Sequence, residues 1–332
     1  MNSWHQFLAS EGATALSPAR MADGFAASLT DLGVISVTGE DAATFLHSQL
    51  TNDVQHLTPA EARLAGYCSP KGRLMATFLM WRNAESVFLQ LPRELQPALQ
   101  KRLSMFVLRA KAKLSDATPE ATIGFGGARA PAVLESLFGT LPPAPNTKID
   151  HPLGTLIRLP DGFGAPRYMW LAAPGAGEQA WPALSQLALG GADSWQLAAI
   201  HAGVPQVTAR TQEQFVPQMV NLELLGGVNF KKGCYPGQEI VARSQYLGKL
   251  KRRTALASIA GQAQAGDEVF SLVDPGQPCG MVVNAASNGN GGVDALVEMK
   301  LGALDDDVRL GSADGPRVDF LPMPYPLDAL EV

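Results

Sequence analysis

Lys231-Lys-Gly-Cys-Tyr-Pro-Gly-Gln-Glu-Ile-Val-Ala-Arg243 is the stretch on which the reading of this chain turns. Its thirteen residues hold two glycines, a proline, a cysteine and four charges, a composition suited to a loop and poor for core packing. Gly233 and Gly237 permit backbone conformations closed to other residues, and Pro236 stiffens the bend. From Gln238 the pattern can start a helix with free N–H groups at its head. Cys234 in such a loop, with Lys231, Lys232 and Arg243 around it, has its thiolate favoured by positive charge, which makes it a candidate nucleophile or redox thiol. A small buried hydrophobe is the alternative.

Charge concentrates in the same region. Seven basic residues (Lys231, Lys232, Arg243, Lys249, Lys251, Arg252, Arg253) stand against Glu239 alone, a local +6 on a chain of net charge −5, so the remainder carries −11. A positive segment on an acidic protein gathers an anionic partner such as a polyglutamate tail, a phosphate or RNA. A solvated basic loop is the plain alternative. Aromatic residues there are limited to Tyr235 and Tyr246, short of a base-stacking platform.

The chain has 332 residues, 46% hydrophobic and 17% charged, enough for a core and for two or three domains. No run of eighteen apolar residues occurs, and the start lacks a basic stretch followed by an apolar block. Neither a membrane span nor a secretory signal is therefore expected, and the cytoplasm is the default location. Cys68, Cys234 and Cys279 lie far apart without a C-x-x-C pair, and His5, His47, His56, His151 and His201 are equally scattered, so no metal site is expected.

Outward from the motif, residues 29–38 read as a strand and 42–50 as a helix with Phe45, Leu46 and Leu50 on one face. Residues 74–81 and 86–91 read as a hairpin, and 93–106 as a helix with Pro97 near its start. Without a βαβ rhythm or a G-x-G-x-x-G, the class is α+β and not a dinucleotide-binding fold. The Pro-rich stretch 140–150 reads as a connection between two subdomains. From Arg253 onward short β-prone runs at 254–259, 268–272, 280–285, 295–299, 308–310 and 317–321 argue for a small antiparallel barrel or sandwich. Asn288-Gly-Asn-Gly-Gly292 is a turn tip, with no Lys-Ser/Thr to make it a phosphate loop. The resulting division is 1–250, subdivided near 110–150, and 251–332.

Lys232, Gly233, Cys234, Tyr235, Gly237, Gln238, Glu239, Ala242 and Arg243 together resemble the K-G-C-Y-x-G-Q-E-x-x-A-R signature of the YgfZ-type folate-binding proteins, relatives of the aminomethyltransferase (T protein) of the glycine cleavage system. Further stretches are similar to that family in the expected order: Phe45-Leu-His-Ser-Gln-Leu-Thr-Asn-Asp-Val54, Cys68-Ser-Pro-Lys-Gly-Arg73, Trp195 with Ala202-Gly-Val-Pro205, and Gln214-Phe-Val-Pro-Gln-Met-Val-Asn-Leu222. The resemblance implies a T-protein-like body of two mixed α/β subdomains with a C-terminal antiparallel β-barrel. It also implies binding of tetrahydrofolate and a role in iron–sulfur cluster assembly or repair, with iron–sulfur proteins as partners. Through cluster enzymes that role supports tRNA modification such as methylthiolation.

Within that resemblance Trp195 stacks on a pterin or is simply core. Gln238 and Glu239 bond the pterin edges or cap the helix. Lys71 and Arg73 hold a folate glutamate tail or form a charged turn. Lys231 and Lys232 are the anion-binding pair, Tyr235 lines the pocket, and Arg243 adds charge. Two departures carry weight. Where T proteins have an aspartate pair this chain has Ala76 and Thr77, so aminomethyl transfer loses its acid–base partner. At Leu32, where related proteins often place an aromatic residue, one pocket wall is aliphatic. Three functions compete: a folate-dependent accessory factor using Cys234, with His201 as a runner-up base for it; a one-carbon transferase; and an RNA-binding module using residues 231–253, which would contact tRNA directly.

Overall fold

The computed structural model describes Phe7, residues 15–247 and residues 250–327. In chain order the strands are β1 (Phe25–Ser28), β2 (Leu32–Thr38), β3 (Ala62–Cys68), β4 (Leu74–Arg82), β5 (Ser86–Pro92), β6 (Lys113–Asp116), β7 (Thr122–Gly126), β8 (Thr147–His151), β9 (Gly154–Gly162), β10 (Ala165–Ala172) and β11 (Ala188–Gly190). The last third adds β12 (Arg252–Ile259), β13 (Glu268–Ser271), β14 (Gly280–Ser287), β15 (Val293–Lys300), β16 (Val308–Leu310) and β17 (Val318–Leu321). They form three sheets, ordered β3-β4-β5-β2-β6, β11-β1-β7-β10-β9-β8 and β16-β13-β14-β15-β12-β17. Pairing is antiparallel throughout these sheets except between β1 and β11.

The first sheet shows why its sequence folds as it does. In β5 the side chains of Val87, Leu89 and Leu91 are buried and those between them are less so, the alternation of a strand with one face on a core. β4 is a near-continuous apolar run, and it is buried along almost its whole length. Helix Gln96–Ser104 buries Leu99 and Leu103 one turn apart and takes Pro97 in its first turn, where the missing N–H costs nothing. It starts three residues later than the pattern suggests, because Arg93 and Leu95 are used in turns onto Asp31 and Pro92.

Two readings of the sequence change. The strand expected at 29–38 begins only at Leu32, as β2 on β5, after a turn at Thr30 and Asp31; β1, at 25–28, precedes it and joins β7 in a different sheet. The connection expected at 140–150 ends early, because residues from Thr147 onward pair with β9 as β8 after a left-handed Asn146. β1 owes its place to a partner strand distant in sequence, of which local composition carries no trace, whereas β8 pairs with the strand that directly follows it. The six strands expected after residue 253 all form. Their sheet nearly closes on itself through a bridge between Arg309 and Arg317, giving an antiparallel barrel.

Polar joints fix the barrel to the body. Arg253, buried, forms an ion pair with buried Glu223 and donates to Gln218 O at 3.1 Å. Asn284, beside an irregularity in β14, accepts from Gln206 N and donates to Gln206 O, both at 2.8 Å. The Ser69–Gly72 turn packs against the 233–238 loop backbone to backbone. A Cβ on Gly237, which has φ +80°, would stand 2.5 Å from Ser69 O and 2.7 Å from Gly72 Cα. Gly237→Ala is therefore expected to cost about 1–3 kcal/mol. Thermal unfolding of the full chain checks this, and an unchanged midpoint would show that the two turns are not in register.

Candidate functional site

A cleft lies where the three sheets meet. Leu64, Thr77 and Leu79 come from the first sheet, Leu159 and Arg167 from the second, Trp195 and Ala199 from helix Ala192–His201, and Asn284 from the barrel. Trp195 is only 7% exposed. Its indole lies on the backbone of β7, at a position where a Cβ on Gly124 would come within 2.4 Å of the ring. The Arg167 guanidinium carbon stands 4.8 Å from the ring centre, a cation–π distance.

Arg167 is 2% exposed. Its Nε donates to Pro160 O at 3.0 Å, while its Nη1 is buried with no hydrogen-bond partner. Burial, then repulsion from Arg158, pushes its pKa down to about 9 against the pull of Asp161. Asp31 is the one carboxylate among the lining residues. Asp31 is exposed at the rim of the cleft, where partial loss of hydration raises its pKa and Asp193 adds to that, while a backbone hydrogen bond opposes. The walls therefore offer an aromatic surface, an unsatisfied cationic donor and a carboxyl group that gains protons readily. Leu32 also lines the cleft, as an aliphatic wall.

A second, more polar cleft shares Leu64 and Asn146 with the first and adds Asn52, Asp53, His56 and Asn229. Asn146 Oδ1 is buried without a partner between the two. Asp53 lies 2.7 Å from His56 Nδ1 and 3.1 Å from His47 Nδ1; the second contact has ion-pair distance without hydrogen-bond direction.

The motif loop stands beyond this pair of imidazoles. Lys232 Nζ donates to His47 O at 2.6 Å, to Leu50 O at 3.0 Å and to Gly233 O at 3.2 Å, and it lies 4.6 Å from the Tyr235 ring centre. Burial lowers its pKa to about 8, against attraction from Asp53 and Cys234. The His47 imidazole is lowered too, by burial first and then by Lys232, with Asp53 opposing. Cys234 is exposed, whereas Cys68 and Cys279 are buried. Burial pushes the Cys68 thiol up to about 12, so Cys234 is the accessible thiol of the three. Tyr235 is buried beside Cys68, and burial raises its phenol.

The residues singled out from sequence thus fall into two groups. Lys71, on the Ser69–Gly72 turn, and Arg73, which donates to Gln214 O, are brought to the motif loop. Gln238 and Glu239 begin helix Gln238–Tyr246, and Arg243 and Lys231 are exposed. None of these lines the cleft that Trp195 walls. Lys232 spends its N–H groups on carbonyl oxygens and has none left for an anion. His201 cannot serve Cys234: its Nε2 lies 2.6 Å from Asp294 Oδ2 and its ring stacks on Phe163 at 4.0 Å, against the barrel.

The basic segment is also smaller than its composition suggests. Arg252 pairs with Glu298 and Arg253 with Glu223, while Lys249 lies outside the described residues. Arg167, Asn146, Asp53 and His47 were missed from sequence. For Arg167 a signal existed, an arginine inside the apolar run Ala165–Ala172.

No family model matches the chain. It is 31% identical over 309 residues to the tRNA-modifying protein YgfZ of Photorhabdus laumondii, covering 91% of this chain and 92% of that one. The chain belongs to the YgfZ family. The protein of the same name from Pectobacterium carotovorum is 30% identical over 309 residues, covering 90% of each chain. Among solved structures, the glycine cleavage system aminomethyltransferase T of Bartonella henselae superposes with a TM-score of 0.73 at 15% identity, over 91% of this chain and 86% of that one. The YgfZ-family chain therefore has the T-protein fold. Ala76 is buried and Thr77 accepts from Val207 N at 3.1 Å.

Lys232 gives a pH signature. Its folded pKa lies below the ordinary lysine value of 10.5, so between about pH 8 and that value the unfolded chain binds more protons there than the native one. The stability contributed by this group is expected to rise with pH across that window and to fall as pH drops through 8. Urea unfolding from pH 7 to 10 checks this: Lys232→Met should flatten the slope, and identical slopes would place the amine in ordinary solvent.

Proposed function

We propose that this chain binds tetrahydrofolate in the cleft between the three sheets and supports, through Cys234, iron–sulfur enzymes that modify tRNA, methylthiolation among them. The observation that carries the folate reading is Arg167, a buried guanidinium with an unpartnered Nη1 beside the indole of Trp195, in a cleft whose lining surface is mainly apolar. A hydrogen-bonding heterocycle satisfies such a wall, since its π-face suits the apolar and aromatic lining and its carbonyl oxygen and ring nitrogens suit the donor.

In this reading Trp195 and Leu32 wall the pterin, Arg167 donates to it, and Asn146 offers its free oxygen toward the adjoining polar cleft. Bound tetrahydrofolate would supply a reduced pterin able to accept or release a one-carbon unit. The chain itself orients that group, keeps water from the apolar side and holds a proton-binding carboxyl, Asp31, at the wall. Thr77 in place of a carboxylate argues against an aminomethyl transfer of the T-protein kind. The work is accordingly that of an accessory factor in the cytoplasm, with the exposed thiol offered to cluster proteins and Lys71, Lys231 and Arg243 as the cations around it. The name of the curated relatives, tRNA-modifying protein, supports the tRNA end of this reading.

Titration with tetrahydrofolate, followed by tryptophan fluorescence and calorimetry, tests the cleft. Arg167→Met and Trp195→Ala are each expected to weaken binding about tenfold. An unchanged dissociation constant in both variants would remove the folate from this cleft. Cys234→Ser should fold and bind folate as the wild type does but fail to restore methylthiolated tRNA in cells lacking their own YgfZ; full restoration would end the role of the thiol.

A further inference from the structure

Residues 101–113, Lys-Arg-Leu-Ser-Met-Phe-Val-Leu-Arg-Ala-Lys-Ala-Lys, hold five cations and no acid on a chain of net charge −5. They run from the end of helix Gln96–Ser104 into β6. Three apolar side chains there face solvent: Met105 is 61% exposed, Phe106 46% and Leu108 88%. Leu108 sits at φ 44°, a left-handed conformation that costs an ordinary residue roughly 1–2 kcal/mol. Lys101, Arg109, Lys111 and Lys113 are exposed around this tip. Lys111 reaches an exposed Glu40 at 2.7 Å, a solvated pair of little worth.

The position of the patch gives it meaning. Asp41 Oδ2 accepts from Lys111 N at 2.8 Å, which ties the patch to the start of helix Ala42–His47. At the far end of that helix His47 O accepts from Lys232, two residues from Cys234. Six helical residues span about 9 Å. One short helix therefore holds the apolar, cationic tip at one end and the loop of the exposed thiol at the other.

We propose that residues 101–113 are the docking surface for a client protein that presents an apolar hollow rimmed by carboxylates, and that docking sets the client beside Cys234. The proposal rests on Cys234 as the functional thiol. An apolar centre of Met, Phe and Leu inside a cationic rim is the anatomy of a protein interface, and the charge selects an acidic partner. RNA would use the cations, but one aromatic side chain makes no stacking platform. An anionic membrane would take cations and apolar tips alike, yet it brings nothing to the adjoining thiol.

The test uses the full chain in cells lacking their own YgfZ, with methylthiolated tRNA nucleosides as the readout. Met105→Ser with Leu108→Ser, and separately Arg109→Glu with Lys113→Glu, are each expected to lower the modified nucleoside about fivefold or more, as loss of central interface anchors does. Tetrahydrofolate affinity and the rate of Cys234 alkylation by iodoacetamide should match the wild type. Wild-type levels of modification in both variants overturn the proposal. So does wild-type binding to unmodified tRNA, or to phosphatidylglycerol vesicles, that the charge reversal abolishes. Failure of the thiol reading shows instead as full activity of Cys234→Ser.

Discussion

The indole of Trp195 occupies the space that a side chain at position 124 would fill, and the arrangement of the molecule follows from that contact. Because β7 carries a glycine there, helix Ala192–His201 settles directly on the second sheet. Its aromatic ring is thereby placed against Arg167, and its other end meets the barrel through His201 and Asp294. The three sheets then enclose a cleft and do not collapse onto one another. A larger residue at 124 would lift the helix, separate ring from guanidinium and open the wall.

Electrostatics divides the molecule into two working regions. The cleft surface is mainly apolar, and burial within it lowers the affinity of Arg167 for its proton. The thiol loop is at the surface, and there the cation beside the sulfur is held by carbonyl oxygens and not by a carboxylate ion pair. Asn146 and Leu64, shared by the two adjoining clefts, lie between these regions.

Much of the fold was legible. The six C-terminal strands, the hairpin of β4 and β5 and the helix carrying Phe45 and Leu46 follow from local periodicity and turn residues, which act within a few positions of the chain. The loop character of residues 231–237 and the helix after it were legible for the same reason, while the exposure of Cys234, open in the sequence, was decided by the structure. The site was legible only in part. Composition counts Arg252 and Arg253 as a basic patch, but their partners Glu298 and Glu223 come from elsewhere in the chain and neutralise them. Arg167 went unread because an arginine in an apolar strand acquires meaning only when its neighbours leave a nitrogen unpaired.

Resemblance of the 232–243 motif pointed to the family, and the sequence by itself determined the elements that rest on local pattern and the loop at 231–237, because glycine, proline and apolar spacing act over short stretches of backbone. Tertiary structure alone decided that the residues of 25–38 serve two sheets, that Trp195 and the Cys234 motif belong to different regions, and which cations remain free. Each of those outcomes depends on contacts between residues tens to hundreds of positions apart, and no local pattern records such a contact.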